Sequence, residues 1–193
     1  MKTLRTYKDR YIHARNWHET YQMARPFIVK GKVGIDVGCR EGGFAREMEQ
    51  DFSHIYGFDF RAKWRKDFYA NVEDPKKFTY TAVGIGEKEG LTYTRSDRAS
   101  RIKGTGDIEV PIRTIDSYNY EDVAFIKYDV EGYELKAVKG SEKTIKKYMP
   151  VIVVEQNKGN LDAVELLKEW GYECKGIDEM FKADYLMVKN EIS

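Results

Sequence analysis

The chain has 193 residues, 41% of them hydrophobic and 34% charged, and its 33 basic and 32 acidic side chains leave a formal charge of +1. That length is enough for one domain with a real core, near-neutrality removes any global positive field that would recruit nucleic acid, and two cysteines, Cys39 and Cys174, exclude a disulfide scaffold or a four-thiolate zinc site. The longest apolar runs, such as Val151 to Val154, are strand-sized rather than bilayer-sized, and the cationic stretch 1–15 lacks the apolar centre of a secretory signal, so no membrane partner and a cytoplasmic location are expected.

The charge is unevenly spread. Residues 1–32 hold eight cations (Lys2, Arg5, Lys8, Arg10, Arg15, Arg25, Lys30 and Lys32) against Asp9 and Glu19, a net +6, which leaves −5 for residues 33–193. This basic N-terminal extension has two readings. It is an arm that grips an anionic acceptor or a phosphate backbone, or it is an amphipathic helix that packs Tyr11, Trp17, Tyr21 and Phe27 inward and turns its cations to water.

The spacing predicts a helix over Lys8 to Ala24, closed by Pro26. A strand at 33–37 runs into the Gly-rich turn Gly38 to Gly43, followed by a helix over 44–50, a strand over 53–59, a helix over 62–72 and a strand over 78–83. Gly84 to Gly90 reads as a tight polar connection, 91–94 as a short strand, and Arg95 to Asp107 as a long polar loop. Regular patterning resumes with strands at 109–115 and 124–128, a helical region interrupted at Gly140, a strand at 150–155 and a helix at 161–170. A closing antiparallel pair, 172–176 with 185–189, completes the chain. Alternation of strand and helix from residue 33 onward argues for an α/β fold whose mostly parallel sheet is covered on both faces.

Two strand ends carry the chemistry. Asp36, Gly38 and Gly42 form Asp-x-Gly-x-x-x-Gly at the end of the first strand, where glycines let a ligand approach the backbone. A dinucleotide site would have glycine where Asp36 stands. A carboxylate suits a cationic amine instead, and Asp59, ending the second strand, stands where an acid accepts hydrogen bonds from a ribose diol. At the end of the 124–128 strand, Asp129, Glu131 and Glu134 place three carboxylates within six residues. They could supply a base, hold a hard cation such as Mg²⁺, or, for Glu134 in particular, favour the start of the next helix. Glu155, at the end of the following strand, points toward the same cleft. His13, His18 and His54 lie away from these strand ends.

These residues resemble the FkbM family of S-adenosylmethionine-dependent methyltransferases. The resemblance runs from Val33 to about Lys189 through Ile35-Asp36-Val37-Gly38 with Gly42, Tyr56-Gly57-Phe58-Asp59, Ala82-Val83-Gly84, Val110-Pro111 to Asp116, and most specifically Ile126-Lys127-Tyr128-Asp129-Val130-Glu131-Gly132-Tyr133-Glu134. It implies a Rossmann-like class I methyltransferase sheet of seven strands, mostly parallel with the last antiparallel, occupying 33–193 behind the helical extension 1–32. It also implies methyl transfer from S-adenosylmethionine to a hydroxyl of a saccharide or small-molecule acceptor. Asp36, Gly38 and Gly42 would face the methionine half of the cofactor, Asp59 its ribose, and Ala82 and Val83 its adenine. Asp129 or Glu131, with Glu155, would handle the acceptor, and Asp129 and Glu155 are the candidate ligands of a divalent cation. Arg40-Glu41 and Asp59 depart from the family's commoner residues. Two alternatives stay open: ribose methylation of RNA through the basic arm and the cations Arg95, Arg98, Arg101 and Lys103, and a cofactor-binding module without catalysis.

Overall fold

The computed structural model describes residues 14–95, 102, 104–156, 159–178 and 183–191. Strands β1 (Val33–Val37), β2 (His54–Phe58), β3 (Phe78–Thr81), β7 (Val123–Tyr128), β8 (Val151–Gln156), β9 (Tyr172–Asp178) and β10 (Ala183–Lys189) build a seven-stranded sheet in the order β3-β2-β1-β7-β8-β10-β9. Every pairing is parallel except the two made by β10, which runs antiparallel to β8 and to β9. This is the expected α/β sheet with its last strand reversed.

Alternation along the strands sends side chains to two apolar layers. On one face, Ile35, Val37, Ile126, Tyr128, Ile152, Val154, Tyr185 and Met187 pack under α4 (Glu134–Lys139), α5 (Glu142–Tyr148) and α6 (Asp162–Glu169), which contribute Val138, Ile145, Val164 and Leu167. On the other, Phe125, Val151, Val153, Leu186 and Val188 meet α1 (Ala14–Ala24), α2 (Gly43–Met48) and α3 (Arg65–Asn71) through Tyr21, Ala24, Phe44, Met48 and Phe68. Gly140 separates α4 from α5, as its position predicts.

The middle of the chain differs from the expectation. Gly84–Ile85 (β4), Gly90–Thr94 (β5) and Ile108–Arg113 (β6) form a separate three-stranded sheet in the order β4-β6-β5. The polar turn therefore begins as a strand, parallel to β6, because Ile85 is buried and takes a place beside Val110 and Ile112 in the core. Arg98, Arg101 and Lys103 of the polar loop lie outside the described residues, as does the helical stretch predicted before Ala14.

Of the N-terminal aromatics, Tyr21 is buried and Trp17 packs against the same layer, whereas Phe27 is exposed and Tyr11 lies outside the described residues. Three cations of the basic segment are engaged by carboxylates of the rest of the chain: Arg25 and Lys30 by Asp51, at 2.7 and 2.9 Å, and Lys32 by Asp122 at 3.0 Å. Asp51 also accepts the Tyr21 hydroxyl at 2.9 Å, and these partners outweigh its burial and hold its carboxyl below the usual range.

Candidate active site

Strand register assembles the site. Asp36 of β1 sits opposite Lys127 of β7, Lys127 opposite Val153 of β8, and Glu155, two residues further along β8, opposite Asp184 of β10. Residues two apart on a strand share a face, and the core partners place this face under α1 and α2. Asp36, Lys127, Glu155 and Asp184 thus form one row along the carboxyl ends of the parallel strands, which is where open α/β sheets bind ligands. Asp129 follows at the end of β7, and Thr20 of α1 reaches the row from above, donating its hydroxyl to Asp184 at 2.9 Å.

Asp36 is fully buried, and neither carboxyl oxygen has a hydrogen-bond partner. Burial raises its pKa to about 6, against the opposing charge of Lys127; the nearby charges of Asp129 and Asp59 push the same way as burial. The Ala45 amide relieves it least and makes no full hydrogen bond. An orphaned buried carboxylate is costly unless something else satisfies it. Asp59 is also buried and held at about 6, chiefly by burial; its Oδ1 accepts the Arg61 amide at 2.8 Å, and the Arg61 and Arg40 charges oppose the rise. Burial, together with the charges of both acids, drives the Cys39 thiol well above the usual value, so it is no thiolate nucleophile.

The turn after β1 must contain glycine. Gly38 has φ of 93°, and a Cβ there would come within 1.8 Å of the Asp129 carbonyl oxygen. Asp129 in turn donates its amide to Val37 at 2.9 Å, so the ends of β1 and β7 are locked together at the row. Gly42, with φ of 81°, caps the start of α2.

Asp129 is paired with Lys127, Oδ2 to Nζ at 2.9 Å. Glu131 is half-buried in a left-handed turn (φ 56°) beside Gly132, one turn removed from the row. Glu134 belongs to the scaffold: it begins α4 and accepts the amides of Val130 and Gly132 at 3.1 and 3.0 Å, which fixes the loop that carries Asp129. Ala82 and Val83 lie in the bend after β3, half-buried against opposite layers of the core. His18 pairs with Glu47 on the exposed side of α1, and His54 bonds Thr79 at the far end of β2, so neither serves the row; His13 lies outside the described residues.

The sequence reading missed three members, Lys127, Asp184 and Thr20. Lys127 had a signal, as the one charged residue in the apolar strand Val123–Tyr128. Asp184 and Thr20 had none, because their relation to the row depends on β10 lying beside β8 and on α1 lying above both.

Residues 54–174 match the methyltransferase FkbM domain. The chain belongs to that family. The matched stretch contains Asp59, Ala82, Val83, Asp129, Glu131 and Glu155, while Asp36, Gly38 and Gly42 precede it. Among solved structures, the fold is similar to the FkbM methyltransferase of Methylobacillus flagellatus KT (19% identity, TM-score 0.60), covering 81% of this chain and 43% of that one. The chain therefore spans less than half of that protein's length. It is also similar to precorrin-6y C5,15-methyltransferase of Geobacter metallireducens GS-15 (13% identity, TM-score 0.59, 95% and 92% covered). A third similar structure is Aeropyrum pernix fibrillarin, crystallised with S-adenosyl-L-methionine (15% identity, TM-score 0.56, 89% and 75% covered). Likeness at these identities is likeness of fold. No curated protein sequence matches the chain.

The residues present fit S-adenosylmethionine better than a divalent metal. An unsatisfied carboxylate at Asp36 and a second acid at Asp59 suit the ammonium and ribose of that cofactor. For a metal, no group of three or more His, Cys, Asp or Glu side chains among the described residues converges as an ion would require, and Asp129 already faces an ammonium. No helix among the described residues is long and apolar enough to cross a membrane.

Proposed function

We propose that the chain transfers a methyl group from S-adenosylmethionine to a hydroxyl of a saccharide or small-molecule acceptor. The observation that carries this reading is the buried, unpartnered carboxylate of Asp36 in a row with Asp129 and Glu155, within a fold and family of methyltransferases. When bound, the cofactor supplies an electrophilic methyl on sulfur.

The chain's own residues would do the rest. Asp36 pairs with the ammonium of the methionine half, Gly38 and Gly42 let that half lie close to the backbone, and Asp59 accepts from the ribose diol, with Ala82 and Val83 beside the adenine. Asp129 orients the acceptor hydroxyl and takes its proton as the new carbon–oxygen bond forms, with Glu155 further along the same face and Glu131 at the approach. Alignment in a dry cleft can lower such a barrier by about 7–11 kcal/mol. Placement in the cytoplasm accords with two cysteines that are both free.

The position of α1 also supports assigning acceptor choice to residues 1–32, since Thr20 meets the row at its Glu155–Asp184 end. The segment that follows α1 disfavours RNA as the acceptor: Arg25, Lys30 and Lys32 are committed to Asp51 and Asp122, which removes three of the eight cations a phosphate backbone would need.

Calorimetric titration tests the cofactor, with S-adenosylmethionine binding and NAD not; binding of NAD alone overturns the assignment. A screen with radiolabelled methyl donor against saccharides, small hydroxylated molecules and RNA tests the acceptor. Label on a saccharide or small molecule that Asp129→Asn abolishes, with cofactor affinity retained, is the expected result. Label confined to RNA would replace this reading with ribose methylation, and no transfer to any acceptor class would leave a cofactor-binding module.

A further inference from the structure

Placing an ammonium on a buried strand is costly, because its lost hydration must be replaced by charge partners. Lys127 is 2% exposed, between Ile126 and Tyr128, which are not exposed at all. Its Nζ lies 2.9 Å from Asp129 Oδ2 and 5.0 Å from the centre of the Phe44 ring, so the side chain is held from two sides. Burial works against its charge, but the carboxylates of Asp129, Asp36, Asp184 and Glu155 outweigh burial and keep the ammonium firmly protonated. One cation thus stands among the four acids of the row and feels the charge of each. Those acids do not converge as a metal-ligand set.

We propose that Lys127 is the built-in cation of this site, a positioning residue that fixes the Asp129 carboxylate toward the acceptor and takes the place of a divalent metal. The proposal rests on the reading of Asp129 and Asp36 given above. Metal ions in comparable roles orient oxygen ligands and offset negative charge, and a buried ammonium with a fixed carboxylate partner does both. It also bears on the energetics of transfer. The sulfur–methyl bond breaks with its electron pair left on sulfur, the oxygen–methyl bond forms, and the hydroxyl proton passes to Asp129. The cofactor side therefore loses a positive charge in a row that already holds Lys127, so the ammonium disfavours the sulfonium relative to the neutral thioether product.

That difference is measurable without an acceptor. Titrate S-adenosylmethionine and S-adenosylhomocysteine separately into the wild-type chain, Lys127→Met and Lys127→Arg. Removing the ammonium should shift the affinity ratio about tenfold toward the sulfonium ligand, while Lys127→Arg keeps the wild-type ratio. Equal weakening of both ligands in Lys127→Met would mean that the lysine only packs, and overturns the proposal. A wild type that binds neither ligand overturns the cofactor reading and this proposal with it. A second measurement does not depend on the folding of the lysine variants. Mn²⁺ titrated into wild type and Asp129→Asn, followed by electron paramagnetic resonance, should reveal no site that the substitution removes. An Asp129-dependent Mn²⁺ site would make the metal, not Lys127, the cation of the row.

Discussion

Asp51 and Asp36 are both buried aspartates at the edge of the same sheet, and they are treated oppositely. Asp51, at the amino-terminal edge, receives Tyr21, Arg25 and Lys30, and its carboxyl is held below the usual range. Asp36, at the carboxyl edge, has no hydrogen-bond partner and is raised to about 6 by its burial. A carboxylate whose partners all come from its own chain is a fastening, here tying the segment after α1 to the domain. One denied partners costs stability until a ligand supplies them. The contrast supports the proposed role of Asp36 without reference to any family.

The contrast can be broken most severely where the row is hinged. Gly38→Ala puts a side chain on a left-handed residue and against the Asp129 carbonyl, so it should cost about 4 kcal/mol or more by urea denaturation. Unfolding within 1 kcal/mol of wild type would show that the ends of β1 and β7 can separate freely.

Next in size is the fastening itself. Asp51→Asn strands the Tyr21 hydroxyl and two cations, a loss of about 3 kcal/mol at neutral pH with S-adenosylmethionine affinity unchanged. Because the Asp51 carboxyl is held low, its contribution is complete above its unfolded value of 3.8 and fades as pH falls through the lower folded value. The difference between variant and wild type should therefore shrink in strong acid.

Asp36→Asn should do the reverse. The raised pKa means that the wild type loses stability as pH rises from about 4 through about 6. The asparagine variant, which cannot ionise, should be about 3 kcal/mol more stable at pH 8 and nearly indistinguishable at pH 4, while losing cofactor affinity. Thermal unfolding across that range, with calorimetry at pH 8, decides it; a variant less stable than wild type at pH 8 would mean that Asp36 is a fastening too.

The smallest effect is expected above the row. Thr20→Val keeps the shape of α1 but removes its hydroxyl from Asp184, and should cost about 1 kcal/mol. If acceptor choice resides in α1, the acceptor KM should rise while cofactor affinity holds.

Much of this molecule was legible in its sequence. The first strand, its glycine turn, the buried strand at 124–128 and the reversed last strand follow from apolar runs and turn residues, signals confined to a few neighbouring positions. The acids at strand ends were legible for the same reason, since Asp36, Asp59, Asp129 and Glu155 each stand at or beside the end of a mainly apolar strand. The three-stranded side sheet was not. Gly84 and Ile85 form too short a strand to show a period, and their pairing with Ile112 and Arg113 joins segments almost thirty residues apart.

The net charge of +1, which excluded so little, concealed a basic N-terminal segment and an acidic remainder. By itself the sequence determined the order of the elements, the strand-end carboxylates and the family pattern, because each is written in contiguous residues. Only the tertiary structure decided that Asp51 would be satisfied and Asp36 would not, that Lys127 would stand among four acids, and that Thr20 would reach Asp184. Those outcomes depend on which strands lie side by side and in what register, and register is set by the packing of the two apolar layers as a whole, not by any local stretch of chain.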